Sequence, residues 1–403
     1  MSESIRVMVA SVGWTGHAYP ALALARELRT SGHDVLLETF ERWRDVAEGL
    51  DLRFEPAVER IAFGPAPAPP PAPGLAAAAR DLEPLIRDFR PRVVVSDMWT
   101  LAPALAAELA GVMRATLIPH PYPAREPGLP FYPLGLLPAR SPFGRTLWRA
   151  LWPAVGTRLP NTRLGRVRAD LDTTRRELGL APVERYDGQI SDQLALVATF
   201  PQLEYPRHWP AHVHVTGPML FEQPYPDVEL PPGAEPLVLV ASSTERDPRH
   251  ELTRAALEAL ESEPVRVVAA LNRRGATWSG AAPANARVLD WVSYSQLIPR
   301  ASAVICHGGQ GTIARALAGG VPVLVVPPAG DMAENGARVA WAGAGLMLPG
   351  RLGRTGSVRR AVRRLLADSR FATRAREISS WAERNDGAAA GTRLVERLAR
   401  AAP

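Results

Sequence analysis

His307 is the first residue in this sequence placed to do chemistry. It closes the apolar run Ala303–Cys306 and leads straight into Gly308, Gly309 and Gly311. Glycines allow close backbone approach, and a helix expected from Thr312 would begin with unpaired N–H groups and the positive end of its dipole. That combination suits a phosphate. The stretch lacks the lysine of a P-loop and is not the G-x-G-x-x-G of a dinucleotide site. A plain glycine turn fits the same spacing, so the wider context has to decide.

His17, in "GWTGHAYP", is the second candidate, and Asp97, at the end of "RVVVSD", is its natural partner. A neutral imidazole can take a proton from a hydroxyl, and a carboxylate beside it would orient the ring and stabilise its charged form. A helix start lowers a histidine pKa, which favours the neutral base. On these residues alone, a loop or helix-capping role explains His17 better. His33 reads as a turn residue, and His208, His212, His214 and His250 belong to no constellation. No histidine–carboxylate metal spacing is present, so neither metal nor other cofactor is expected. The single cysteine, Cys306, excludes an intrachain disulfide and leaves a thiolate metal cluster without ligands.

The elements that must position these groups alternate strand and helix. Ile5–Ser11 reads as a strand, "GWTGHAYP" as a loop, Ala21–Leu28 as a helix and "SGHDVLLET" as a turn and second strand. Arg92–Asp97, a helix to about Leu109, and "ATLIPH" continue the pattern. It restarts at Pro236–Thr244, with a helix near Arg249–Glu261, strands Val265–Leu271, Val288–Trp291 and Ala303–Cys306, a helix from Thr312, and strand Val321–Val326. Amphipathic helices run from Val358 to the end. Proline-dense "YPRHWPAHVHVTGPMLFEQPYPD" reads as the linker, and "GPAPAPPPAPG" (64–74) as a polyproline-like loop. The expected class is α/β, with two facing Rossmann-like domains whose parallel sheets enclose a cleft. Residues 1–215 would form the first domain and 216–385 the second, with 386–403 a helix packing back on the first. Ligands of open parallel sheets sit beyond the carboxyl ends of the strands, which puts one substrate on each side.

The 403 residues suffice for two domains, and 46% hydrophobic against 22% charged residues can build real cores. The net charge is +6, yet the chain contains no lysine and no dense basic run interleaved with aromatics. Nucleic-acid binding is therefore not expected, whereas a mild attraction for phosphorylated ligands is. No apolar run is long enough for a membrane span, and "MSESIRVMVASVG" reads as a first strand, not a signal peptide. The expected location is the cytoplasm.

The combination "WVSYSQLIPRASAVICHGGQGTIARALAGGVPVLVVPPAGDMAEN" (291–335) with "GHAYPALALARELRTSGHDV" (16–35) resembles the two-domain GT-B glycosyltransferases of the UDP-glycosyltransferase superfamily, especially the bacterial natural-product and macrolide type. The resemblance spans most of the chain and is weakest in the middle of the first half. It implies an inverting, metal-independent transfer from a nucleotide sugar, with the donor in the second domain and the acceptor in the first. It places the nucleobase beside Trp291 with the Val292 backbone reading its edge. The diphosphate would lie on His307, Gly309, Gly311 and Thr312, with Ser242 and Ser243 on a further phosphate loop, and the sugar would lie on the loop of Asp331 and Asn335. It also implies the His17–Asp97 pairing as catalytic base and its partner.

Three positions depart from the family pattern. Ser293 and Tyr294 replace a Pro-Gln pair, Arg315 stands where a glutamate often binds the ribose hydroxyls, and Met332 replaces a glutamine. A ribose without a 2′-hydroxyl and a sugar poor in hydroxyls would fit these changes, so a TDP-deoxysugar is favoured over a UDP-sugar; neutral drift fits them too. The aromatic, proline-rich stretch 120–160 reads either as a packed loop or as an apolar surface for a small hydroxylated acceptor, with His120, Phe131 and Trp148 as lining candidates. Alternatives are a nucleotide-sugar epimerase, a lipid-linked transferase at a membrane surface, and a degenerate, non-catalytic homologue.

Overall fold

A computed structural model describes residues 4–57, 74–139, 141–156, 163–182, 190–243, 247, 249–328, 330–350 and 355–401. The polyproline-like stretch, apart from Gly74, lies outside them.

The first half contains β1 (Arg6–Ala10), α1 (Thr15–Thr30), β2 (Asp34–Thr39), α2 (Arg44–Gly49), β3 (Arg53–Pro56), α3 (Leu75–Asp81) and α4 (Glu83–Phe89). Then come β4 (Val93–Asp97), α5 (Leu101–Leu109), β5 (Met113–Ile118), α6 (Pro142–Gly156), α7 (Arg163–Glu177), β6 (Ala195–Val197) and β7 (Val213–Val215). The strands form one parallel sheet in the order β3-β2-β1-β4-β5-β6-β7. β1 and β4 are adjacent, with Val9 beside Val95 and Ala10 beside Ser96. The chain therefore leaves their neighbouring ends in different directions, and a crevice opens there. The central strands are apolar on both faces because helices cover both, as parallel sheets require.

The second half repeats the design with β8 (Leu237–Ala241), α8 (Glu251–Leu260), β9 (Arg266–Ala270), β10 (Ala286–Leu289), the short α9 (Tyr294–Leu297) and β11 (Ala303–Cys306). α10 (Gln310–Ala318), β12 (Val323–Val325), α11 (Asp331–Ala342), β13 (Gly345–Met347), α12 (Thr355–Ala367), α13 (Ser369–Arg384) and α14 (Gly387–Ala401) follow. Its parallel sheet runs β10-β9-β8-β11-β12-β13. β8 and β11 are the adjacent pair here, so a second crevice opens at Ser242 and His307. α14 crosses back to the first half: Leu394, Val395 and Ala399 share the core of Leu22, Leu24 and Val95. His33, buried and bonded to Glu396 at 3.0 Å, is part of this contact and not merely a turn residue.

Several expectations are corrected. The stretch read as a linker contains a sheet strand, because β7 lies inside it. The irregular stretch 120–160 contains the helix α6. "GWTGHAYP" is not a loop throughout, since α1 starts at Thr15 and takes in both His17 and Pro20. Asp331 and Asn335 lie not on a loop but in the first turns of α11.

Candidate active site

The crevice of the first sheet holds His17 and Asp97. Asp97 ends β4 and is fully buried as a side chain; its Oδ2 is 2.8 Å from His17 Nδ1. Its Oδ1 accepts the Trp99 N–H at 2.8 Å, which fixes the carboxylate. With Nδ1–H donated to Asp97, the proton-accepting lone pair is that of Nε2. Burial alone would push the His17 pKa down. The charge and hydrogen bond of Asp97, aided by Asp331, raise it above the ordinary histidine value. The expected lowering by the helix start is thus overridden by the carboxylate, which is closer and carries a full charge.

His17 sits in the first turn of α1, its N–H bonded to the Trp14 carbonyl at 2.9 Å. Pro20 lies three residues on and has no N–H to give the Gly16 carbonyl, an interruption that costs helix stability. Gly16 and Pro20 both line the interdomain cleft. The rings of His17 and His120 meet edge to face at 6.3 Å, and Tyr132 stacks on His120 at 5.7 Å. Burial lowers the His120 pKa, the Pro121 carbonyl opposes this, and the nearby His17 charge adds to the lowering. Phe131 and Trp148 contact each other at 6.4 Å. Phe131 is buried and Trp148 half-buried.

Across the cleft, β11 delivers His307 beside the start of α10. Gly309 is the N-cap of α10, and no side chain caps that end. Gly308 has φ +97°, and a Cβ there would lie 2.6 Å from the Met332 carbonyl. A Cβ on Gly309 would lie 2.6 Å from His307 Nε2. Gly308 is therefore dictated by conformation and close approach, and Gly309 by close approach alone. Asn335, buried in α11, donates to the Gly308 carbonyl at 2.8 Å and so braces the glycine loop. Met332 is buried against the same loop, with little surface left for a sugar.

Of the expected donor residues, Ser242, Trp291, His307, Gly309, Gly311 and Thr312 line one cavity. Ser243, Val292, Asp331 and Asn335 do not line it. The Ser242 hydroxyl is engaged with Thr253, and its carbonyl accepts Asn272 Nδ2 at 2.7 Å. Trp291 is half-buried with the Arg274 guanidinium 5.4 Å from its ring. Arg315 also lines the cavity. It donates to Gly311 O at 3.0 Å and to Phe221 O, and stacks between Tyr19 (5.3 Å) and Tyr294 (5.8 Å). Two of its five N–H donors are thereby engaged by backbone carbonyls. Tyr294 donates its hydroxyl to Asn272 Oδ1 at 3.0 Å, and burial pushes its pKa up to about 12. Ser293 and Tyr294 start α9, whose N–H groups are capped by Glu222.

Tyr19, Asn272, Glu222 and Gln310 line this cavity and escaped the sequence reading. Asn272, with φ +55° directly after an apolar strand, carried a usable signal; the others carried none. Also missed was a buried ion network between the halves. Arg338, in α11, contacts Glu334 and Glu204, each at 2.9 Å, and stacks 3.6 Å from the Tyr205 ring. Glu334 Oε2 accepts the Gly135 N–H at 3.2 Å, and Tyr205 donates its hydroxyl to the Leu136 carbonyl at 3.1 Å. The segment 131–137 is thus tied to the helix that starts at Asp331. Among the described residues, no group of three or more His, Cys, Asp or Glu side chains could hold a metal ion, and no helix is long and apolar enough to cross a membrane.

Comparison with known proteins bears on this geometry. Residues 254–393 match the family model "Erythromycin biosynthesis protein CIII-like, C-terminal domain". The chain is 30% identical over 429 residues to 4'-demethylrebeccamycin synthase of Lentzea aerocolonigenes, covering 98% of this chain and 99% of that one. It is 29% identical over 440 residues to O-mycaminosyltylonolide 6-deoxyallosyltransferase of Streptomyces fradiae, covering 98% of each. Among solved structures, the kitacinnamycin glycotransferase superposes with a TM-score of 0.76 at 21% identity, covering 99% of this chain and 100% of that one. The glycosyltransferase VinC in complex with dTDP superposes at 0.70 and 22% identity, covering 98% and 100%. At those identities the two structures speak for the fold alone.

Proposed function

The chain belongs to the bacterial natural-product glycosyltransferases of the GT-B fold, and from that premise we propose that it transfers a sugar with inversion from a nucleoside diphosphate sugar to a hydroxyl of a small apolar natural product. One observation carries the reading: a histidine paired with a buried aspartate on one wall of the cleft, opposite an uncapped, glycine-rich helix start on the other. Membership of this family sets aside the epimerase and non-catalytic readings of the sequence.

In this reading residues 1–215 bind the acceptor, 216–385 bind the donor, and 386–403 fasten the second unit to the first. Nε2 of His17 removes the acceptor's proton as its oxygen attacks the anomeric carbon. The bond from that carbon to the diphosphate breaks, and the electron pair leaves with the phosphate. Asp97 stabilises the imidazolium that results. The leaving charge is met by His307 and by the N–H groups at the start of α10, a pre-oriented site that needs no reorganisation during the step. A single displacement inverts the anomeric centre.

Trp291 and the Val292 backbone receive the base. Asp331 approaches the sugar from the first turn of α11, while Asn335 acts through the glycine loop that it braces. Ser242 serves through its backbone, and Ser243 stands next to it. His120, Phe131 and Trp148 belong to the acceptor side. A TDP-deoxysugar is favoured over a UDP-sugar because Arg315, which has no hydrogen-bond acceptor to offer a 2′-hydroxyl, occupies the place of a ribose-reading carboxylate. The name of the deoxyallosyltransferase points the same way for the sugar. The burial of Met332 removes its argument for a deoxysugar, and Arg315 bears on the nucleoside alone.

The test is a panel of TDP- and UDP-sugars against hydroxylated polyketide and aromatic aglycones, with the anomeric configuration of each product read by NMR coupling constants. A product of inverted configuration, formed faster from TDP donors, is expected. Retained configuration would end the single-displacement mechanism, and a clear preference for UDP-glucose would end the donor assignment.

A further inference from the structure

α6 presents Phe143, Leu147 and Leu151 at intervals of four, which aligns them along one side of the helix. They are 80%, 51% and 44% exposed. The preceding loop exposes Leu134, Leu136 and Leu137. Six of the seven exposed large apolar side chains among the described residues thus fall between 134 and 151. A patch so concentrated marks an interaction surface and not the usual scatter of single residues.

The charge of this region identifies the partner. From Pro127 to Ala169 the sequence has seven arginines and no aspartate or glutamate. The whole chain carries only +6, so the rest of the molecule is close to neutral. Arg145 and Arg149 are exposed on the side of α6 turned away from the leucine stripe. An apolar face of Phe and Leu with arginine on the other face is the pattern of a helix lying in the plane of a lipid interface. Anionic headgroups would draw the arginines, and the acyl boundary would take the apolar stripe. A second copy of this chain fits poorly, because it would bring the same arginine-rich stretch, with no aspartate or glutamate from 127 to 169, against itself.

We propose that α6 and the loop before it dock the enzyme on an anionic lipid surface. The acceptor then reaches the site from that side. Tyr132, which stacks on His120 beside His17, lies two residues from the first exposed leucine. A lipid-dissolved acceptor therefore meets the apolar loop before it meets the base. This use of the surface rests on the acceptor reading above; the docking itself does not.

The experiment is sedimentation of the full chain with vesicles of phosphatidylcholine alone and of phosphatidylcholine mixed with phosphatidylglycerol, at low and high salt. Binding is expected to the anionic vesicles, weaker in high salt, and negligible to the neutral ones. The double variant Phe143→Ser/Leu147→Ser should lower the partition coefficient by on the order of a hundredfold, from the apolar burial removed. Its TDP binding and its turnover of a water-soluble acceptor should stay at wild-type level, which shows that it folds. Failure to bind anionic vesicles would overturn the proposal. So would binding that the double variant retains, or a concentration-dependent dimer or capture of an acidic protein partner in place of lipid binding. If vesicles bind but no sugar is transferred to any acceptor, the functional reading fails and the docking stands.

Discussion

The two walls of the cleft are built on the same plan and made of different material. The wall from the second half is largely backbone: a glycine turn, an uncapped helix start, and a loop held by Asn335 and Asn272. The wall from the first half is largely side chain. It carries a histidine–aspartate pair, an aromatic stack, and a 131–137 segment held by Tyr205 and by the Glu334 carboxylate 199 residues away. A diphosphate asks for oriented N–H groups, which backbone supplies cheaply. Deprotonating a hydroxyl requires a titratable group with a tuned pKa, which only side chains provide.

The largest effect should come from the charged tie between the walls. Arg338→Ala leaves Glu204 and Glu334 buried without their cation and should cost about 3–5 kcal/mol of stability, measured by urea denaturation. Loss of less than about 1 kcal/mol would show that the walls do not depend on the network.

Asp97→Asn comes next. Turnover should fall by about 10²-fold as His17 loses its orienting partner. The pH profile adds a sign. The His17 pKa is raised in the folded enzyme, so kcat/KM should rise with pH through a value above the ordinary histidine pKa. In Asp97→Asn burial is opposed only by the charge of Asp331, and that limb should move to lower pH. The same raised pKa means that this pair contributes stability below the unfolded pKa and loses it as pH rises through the folded one.

Gly309→Ala tests the backbone wall. The new methyl must displace the His307 ring, and TDP affinity should drop about tenfold, the scale of one charge-assisted hydrogen bond. Acceptor KM should hold. Arg315→Gln should give the smallest change, shifting preference toward UDP over TDP by about fivefold, one neutral hydrogen bond to the 2′-hydroxyl. Competition binding of the two nucleotides reads it directly.

The same contrast explains what the sequence disclosed. β1, β4, β8 and β11 were legible as apolar runs, and the glycine loop was legible because tight turns and helix starts write themselves in adjacent residues. β6 and β13, three residues each, gave too short a period to register. α11 was obscured by Gly330 and a weak start, so Asp331 and Asn335 read as loop. α6 was hidden by the prolines and aromatics around it. Glu204, Glu334 and Arg338 had no local signature at all, since each is an ordinary charged residue until the fold brings it to the others. His17 and Asp97 were visible only as strand-end residues; their 2.8 Å contact depends on β1 and β4 being neighbours, which no local pattern states.

The central claim is that one wall holds the donor and the other activates the acceptor. Its most direct test is His17→Ala, with TDP affinity by calorimetry and turnover measured on the same preparation. The account predicts wild-type TDP affinity and turnover reduced by about 10²-fold or more. Wild-type turnover in that variant would contradict it.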